Sequence, residues 1–149
     1  MKWFKPNLMV LNLGAVDACH ANYTDYLSAL HRADHAVGHL WNQINQIPEM
    51  ANNTIMLITP ECGRNLESNP IRDENDWRAF DHSDSNTQRV FTQMVGPNVP
   101  SNLVRGSVGN QIGETVDNCP TIAEILGFKD DVMNSGLISS TAQSLFDRI

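Results

Sequence analysis

Two short, nearly continuous apolar runs bracket a long amphipathic stretch, and this arrangement restricts the fold more than any other feature. The first run is Leu8-Met9-Val10-Leu11-Asn12-Leu13, closed by Gly14, and the second is Thr54-Ile55-Met56-Leu57-Ile58-Thr59, stopped by Pro60. Short runs without polar alternation read as buried strands of a parallel sheet. Between them Tyr23, Tyr26, Leu27, Leu30, Ala33, Val37, Leu40, Trp41, Ile44 and Ile47 recur three and four apart. That period predicts an amphipathic helix over 22–47, capped by Asn22 or Thr24 and ended before Pro48. Strand, helix, strand in this order is a βαβ unit, with parallel strands and a right-handed crossover.

Further along, residues 89–95 read as a third strand, ended by Gly96-Pro97, and residues 102–109 as a short strand or hairpin arm. A helix is predicted over 115–127, with Asp117 as cap, Pro120 in its first turn, Ile122, Ile125 and Leu126 on one face, and Gly127 as its stop. Residues 128–149 form a weakly patterned tail with one apolar cluster, Leu145-Phe146. The polar stretch 61–88 is too long for a plain connector, and such loops are usually functional or disordered. Trp77 and Phe80 within it suggest that it folds back onto the domain. The expected fold is α/β: one domain over residues 1–149, a three-layer α/β/α sandwich around a mainly parallel sheet.

Composition removes several function classes. Seventeen acids against ten bases give a net charge of −7, with no cluster of Lys and Arg, so nucleic acid is not an expected partner. No apolar run approaches the ~20 residues of a bilayer span. The start, Met1 to Pro6, lacks the apolar stretch and cleavage site of a signal peptide, which leaves a processed product open. Three cysteines, Cys19, Cys62 and Cys119, are too few for a disulfide scaffold and leave the compartment open.

In an open parallel sheet, ligands bind at the carboxyl ends of the strands. The loops after the two apolar runs lie there. The first carries Asp17 and His20, the second Glu61 and Cys62. Carboxylate, imidazole and thiolate are all metal ligands. The same residues also read as a loop cap, an exposed imidazole, a solvated acid and a buried small thiol. His31, His35 and His39 form a ridge along the long helix. The zinc-protease pattern wants a Glu beside the first His, and Arg32 stands there, so the ridge reads as a solvated face. Phe80-Asp81-His82-Ser83-Asp84, a His among acids, is by itself a weak signal.

The order of these pieces resembles the alkaline phosphatase superfamily, which includes phosphatases, phosphodiesterases, sulfatases and cofactor-independent phosphoglycerate mutases. The resemblance is to the C-terminal half of that catalytic domain and runs over residues 7–128. The family reads as a strand, then an Asp with a His a few residues on, then a long helix with an Asp and a following Val-Gly. Here these are Val10-Leu11-Asn12-Leu13, Asp17, His20 and Asp34-His35-Ala36-Val37-Gly38. Next come an Asn-Thr, a strand and an Asp-His-Gly, matched by Asn53-Thr54, residues 55–59 and Glu61-Cys62-Gly63. A later His is matched by His82, a strand ending in Gly-Pro by Gly96-Pro97, and an Asp-x-x-Pro-Thr-Ile helix closing on Leu-Gly by residues 117–127.

The resemblance implies two metal ions, often zinc, at the strand ends. Asp17, His20 and His82 would hold the first, and Glu61 and Cys62 would contribute to the second. It also implies a phosphate- or sulfate-ester substrate. The family's nucleophile and a further metal-binding Asp come from an earlier half of the domain that has no match here. Cys62 stands where the family has His, Glu61 where it has Asp, and Asp17 and His20 are three apart where phosphatase-like members commonly have four. The expectation is a metal-dependent hydrolase half that is inactive alone and has no catalytic nucleophile of its own. The other reading is a non-catalytic remnant serving as a binding or assembly module. Cys19 and Cys62, on adjacent loops, could pair as a disulfide. An unpaired strand edge and apolar face imply a homo-oligomer. Alternatively, residues 129–149 cover that edge through Leu137, Ile138, Leu145 and Phe146.

Overall fold

The computed structural model describes residues 5–68, 70, 72–79 and 81–148. The chain divides into two compact units, Met1–Val99 and Pro100–Ile149. In the first, helix α1 runs Tyr23–Asn45 and the short α2 Pro48–Ala51, followed by strands β1 (Met56–Ile58) and β2 (Gln93–Val95). In the second, helix α3 runs Asn118–Leu126 and α4 Lys129–Asn134. Among the described residues, no helix is long and apolar enough to cross a membrane.

The long helix forms where its period places it. Asn22 is the cap: its side chain accepts the Asp25 N–H at 2.9 Å. Thr24 has a different role, donating its N–H and Oγ1 to Asp73 Oδ2 at 3.2 and 3.0 Å. Pro48 opens α2 rather than only ending α1, because a first-turn residue needs no N–H partner. The buried and half-buried stripe keeps Tyr23, Tyr26, Ala33, Val37, Leu40, Trp41, Ile44 and Ile47 of the expected one. Ala29 and Ile44 are buried, whereas Leu27 and Leu30 are exposed. The three histidines of the ridge, His31, His35 and His39, all face solvent.

The three-layer parallel sandwich is not what forms. The sheet has two strands, β1 and β2, paired antiparallel with Met56 opposite Val95 and Ile58 opposite Gln93. Of the expected strands 54–59 and 89–95, only Met56–Ile58 and the C-terminal Gln93–Val95 become strand. Residues 8–13 form none: Leu8, Met9, Val10, Leu11 and Leu13 are exposed, Val10 by 82%. Among the described residues this segment makes no backbone hydrogen bond. An apolar run supplies the side chains of a buried strand but not a neighbouring ladder, and pairing requires both. Antiparallel neighbours also need no helical crossover, so β1 and β2 meet without a βαβ unit.

The polar stretch 61–88 folds back on α1, as Trp77 suggests; Phe80 lies outside the described residues. Trp77 stacks on Tyr23 at 5.9 Å, Tyr23 on Tyr26 at 6.1 Å, and Arg64 lies 4.5 Å over the Tyr26 ring. Asp73 is the loop's anchor. Burial pushes its carboxyl up, but N–H groups of Trp77 and Asn75 and both Thr24 donors outweigh this, so it lies below the usual range. Gly63 passes through the tightest point of the loop. A Cβ there would meet the carbonyl oxygens of Arg89 at 2.9 Å, Asn86 at 3.1 Å and Thr87 at 3.3 Å. Its N–H also donates to Thr87 O at 2.7 Å. Backbone cannot give way as a flexible side chain does, so Gly63→Ala is expected to cost about 1–3 kcal/mol. A chemical denaturation curve with an unchanged midpoint would contradict this.

In the second unit the predicted helix ends at Gly127, whose φ of 84° is the left-handed conformation glycine adopts at no steric cost. Phe128 N–H then closes on Ala123 O at 2.9 Å. Asp117 occupies the cap position of α3, but its side chain makes no capping hydrogen bond into that helix. A turn of 3₁₀ helix, Thr115–Asp117, precedes α3, and Glu114 is its cap in a reciprocal capping box with Asp117. Of the expected arm 102–109, a tight turn forms, with Ser107 and Asn110 exchanging both backbone hydrogen bonds at 3.0 Å. The tail is tied to α3 by polar contacts. Leu145 N–H donates to Thr121 Oγ1 at 2.8 Å, and Leu137, an expected apolar anchor, is 88% exposed.

Candidate metal centre

Asp17 and His20 sit on one tight turn. Residues Asp17–Cys19 form 3₁₀ helix, and the flanking Val16 and His20 keep helical backbone angles. In that geometry side chains at i and i+3 eclipse. Spacing of three therefore points both groups the same way, and His20 Nε2 lies 2.8 Å from Asp17 Oδ1. That contact, with the charge of His20, holds the Asp17 carboxyl below the usual range.

His82 reaches the same point from the polar loop. Its ring meets the His20 ring edge-on, with centroids 4.4 Å apart. The loop is fixed on either side. Asn65 Oδ1 accepts the N–H groups of Ser83 at 2.6 Å and Asp84 at 2.9 Å, and Asn65 N–H donates to Asp81 O at 2.7 Å. Asp84 in turn accepts the N–H groups of Leu66 and Asn86, both at 2.8 Å. Arg64 joins this frame to the first loop by donating to Val16 O at 2.9 Å.

One ligand atom each from Asp17, His20 and His82 lies within 4.8 Å of the others. Ligands at ~2.0–2.2 Å from a tetrahedral ion are about 3.4 Å apart, so small rotations close the set around a cation. Two imidazoles and one carboxylate are the donors of three-ligand zinc sites that keep a position open. The three residues are exposed or half-buried, which leaves that position to solvent. The chain thus carries a possible metal-binding cluster at Asp17, His20 and His82.

Glu61 and Cys62 stand outside this cluster. Burial, then the hydrogen bond and charge of Glu61, push the Cys62 thiol up, which favours the protonated form over a thiolate ligand. The expected Cys19–Cys62 disulfide is not present. Both thiols are free, and Cys19 Sγ donates to Ala15 O at 3.3 Å, satisfied within its own turn.

Asp81, in the sequence only an acid beside His82, borders the cluster. Its Oδ1 accepts the His82 N–H at 2.8 Å and lies 3.2 Å from His20 Nδ1 and 3.8 Å from His82 Nε2. The His82 N–H is the main reason that its carboxyl lies below the usual range. The available signal was its adjacency to His82. Comparison with protein-family models, with curated proteins and with solved structures gives no match to this chain.

Proposed function

We propose that Asp17, His20 and His82 bind a divalent metal ion, zinc being the best fit to their donor chemistry, and that the site serves phosphate- or sulfate-ester hydrolysis of the alkaline phosphatase superfamily kind. The carrying observation is the convergence of three residues from two distant loops, the same three that the family resemblance pairs around its first metal. Such an ion polarises the ester and steadies the oxygens of an in-line displacement. The chain's own residues orient it: the 3₁₀ turn presents Asp17 and His20 together, and the Asn65–Asp84 frame brings His82 across. The family's nucleophile has no match in these residues, so the chain alone binds metal without turnover.

Zinc titration by calorimetry is expected to give one site per chain, and the zinc-loaded chain to bind inorganic phosphate. Neither p-nitrophenyl phosphate nor the corresponding sulfate should be hydrolysed. Absence of zinc binding, or strong preference for ferrous ion, would remove the hydrolase reading. Turnover lost in Asp17→Ala would keep the class and overturn the inactivity of the chain.

A further inference from the structure

The two nitrogens of His20 face two different carboxylates. Nε2 is 2.8 Å from Asp17 Oδ1, and Nδ1 is 3.2 Å from Asp81 Oδ1. A metal-bound imidazole has one lone pair to give and one N–H to place, and the group that takes the N–H decides which nitrogen meets the metal. Asp17 lies at the Nε2 end of the ring and Asp81 at the Nδ1 end, where its Oδ1 also comes within 3.8 Å of His82 Nε2. The same Asp81 oxygen holds the backbone N–H of His82 at 2.8 Å, so it positions the second histidine through its main chain.

We infer that Asp81 is the positioning residue of the metal centre: it accepts Nδ1–H of His20, leaves Nε2 to bind the ion beside Asp17, and fixes the approach of His82. The inference rests on the metal-site reading above. It makes Asp81 an outer carboxylate of a carboxylate–histidine–metal arrangement rather than a fourth ligand. Partners of this kind are worth about 10–100-fold in metal affinity. The backbone of Asp81 is held independently, because its carbonyl accepts the Asn65 N–H at 2.7 Å. Changing the side chain therefore leaves the loop's attachment in place.

The test compares the full chain with Asp81→Ala and Asp81→Asn. Three readouts are zinc affinity, the number of light-atom ligands by X-ray absorption, and the long-range ¹H–¹⁵N pattern of His20 in the zinc-loaded protein. Expected results are Nε2 coordination by His20 and a loss of about 10–100-fold in Asp81→Ala with an unchanged ligand count. Asp81→Asn keeps an oxygen acceptor for Nδ1–H and should recover most of the affinity. Unchanged affinity in Asp81→Ala, coordination through Nδ1, or loss of an oxygen ligand would overturn the positioning role while leaving the site itself standing. Failure of the unmodified chain to bind zinc would overturn both.

Discussion

Replacing Asp117 by alanine is expected to remove much of the stability of the Pro100–Ile149 unit and raise its unfolded fraction. Asp117 is fully buried, with 0% of its surface exposed, and both carboxylate oxygens are engaged. Oδ1 accepts Gln143 N–H at 2.9 Å and Arg148 Nη2 at 3.0 Å. Oδ2 accepts Glu114 N–H at 2.8 Å and lies 2.7 Å from Arg148 Nε. One side chain thus joins the start of α3 to both ends of the 143–148 tail. Removing one partner of a buried ion pair costs about 3–5 kcal/mol. Arg148 retains 24% side-chain exposure and can reach water, which favours the lower end of that range. A fifty-residue unit has only about 2.5–7.5 kcal/mol to lose. Proteolysis within residues 135–148, together with loss of protection at the Gln143 and Leu145 amides in hydrogen exchange, would report the unfolding.

The same contacts give a pH dependence of definite sign. Burial raises the Asp117 carboxyl, but Gln143 N–H, Arg148 and Glu114 N–H outweigh it, so the folded value lies below the usual one. The unfolded value is about 3.9. The ionised form's contribution is complete above that value and is lost as pH falls through the lower folded one. Asp117→Asn, which keeps the shape and one acceptor, should lose this acid sensitivity. Equal acid denaturation of the two proteins would contradict the assignment.

Local signals carried further in this sequence than long-range ones. The period of α1 and the stop at Gly127 depend on residues a few positions apart, and each is legible without tertiary information. The antiparallel pairing of β1 with β2 was not legible. Residues 8–13 have a buried strand's composition, but composition names no pairing partner, and none forms among the described residues. The buried polar centre of Asp117, Thr121 and Ser144 was equally hidden, because an apolar pattern marks a core only where the core is apolar. Asp117 reads in the sequence only as a helix cap for that reason. At the candidate site, residue type and loop order pointed to Asp17 and His20, and the family resemblance added His82. Type and order also pointed to Glu61 and Cys62, which stand apart, since a loop's position does not fix which way its side chains turn.

Saturating zinc is expected to stabilise the chain, and His82→Ala to abolish the effect. His82 is the one cluster member from the polar loop; Asp17 and His20 already share a turn. An ion held by all three therefore closes the loop onto that turn, and only the folded form offers the closed set. Binding to the folded form alone adds about 2.7 kcal/mol at a hundred times the dissociation constant. Without His82 two donors from one turn remain, and the ion gains nothing from the loop's position. The affinity should fall by at least the ~10–100-fold associated with losing an outer partner. His31→Ala, on the solvated ridge of α1, should keep the full stabilisation. Thermal melts with and without zinc separate these outcomes: a zinc-induced rise that survives in His82→Ala but disappears in His31→Ala would move the metal to the helix ridge and overturn the loop site.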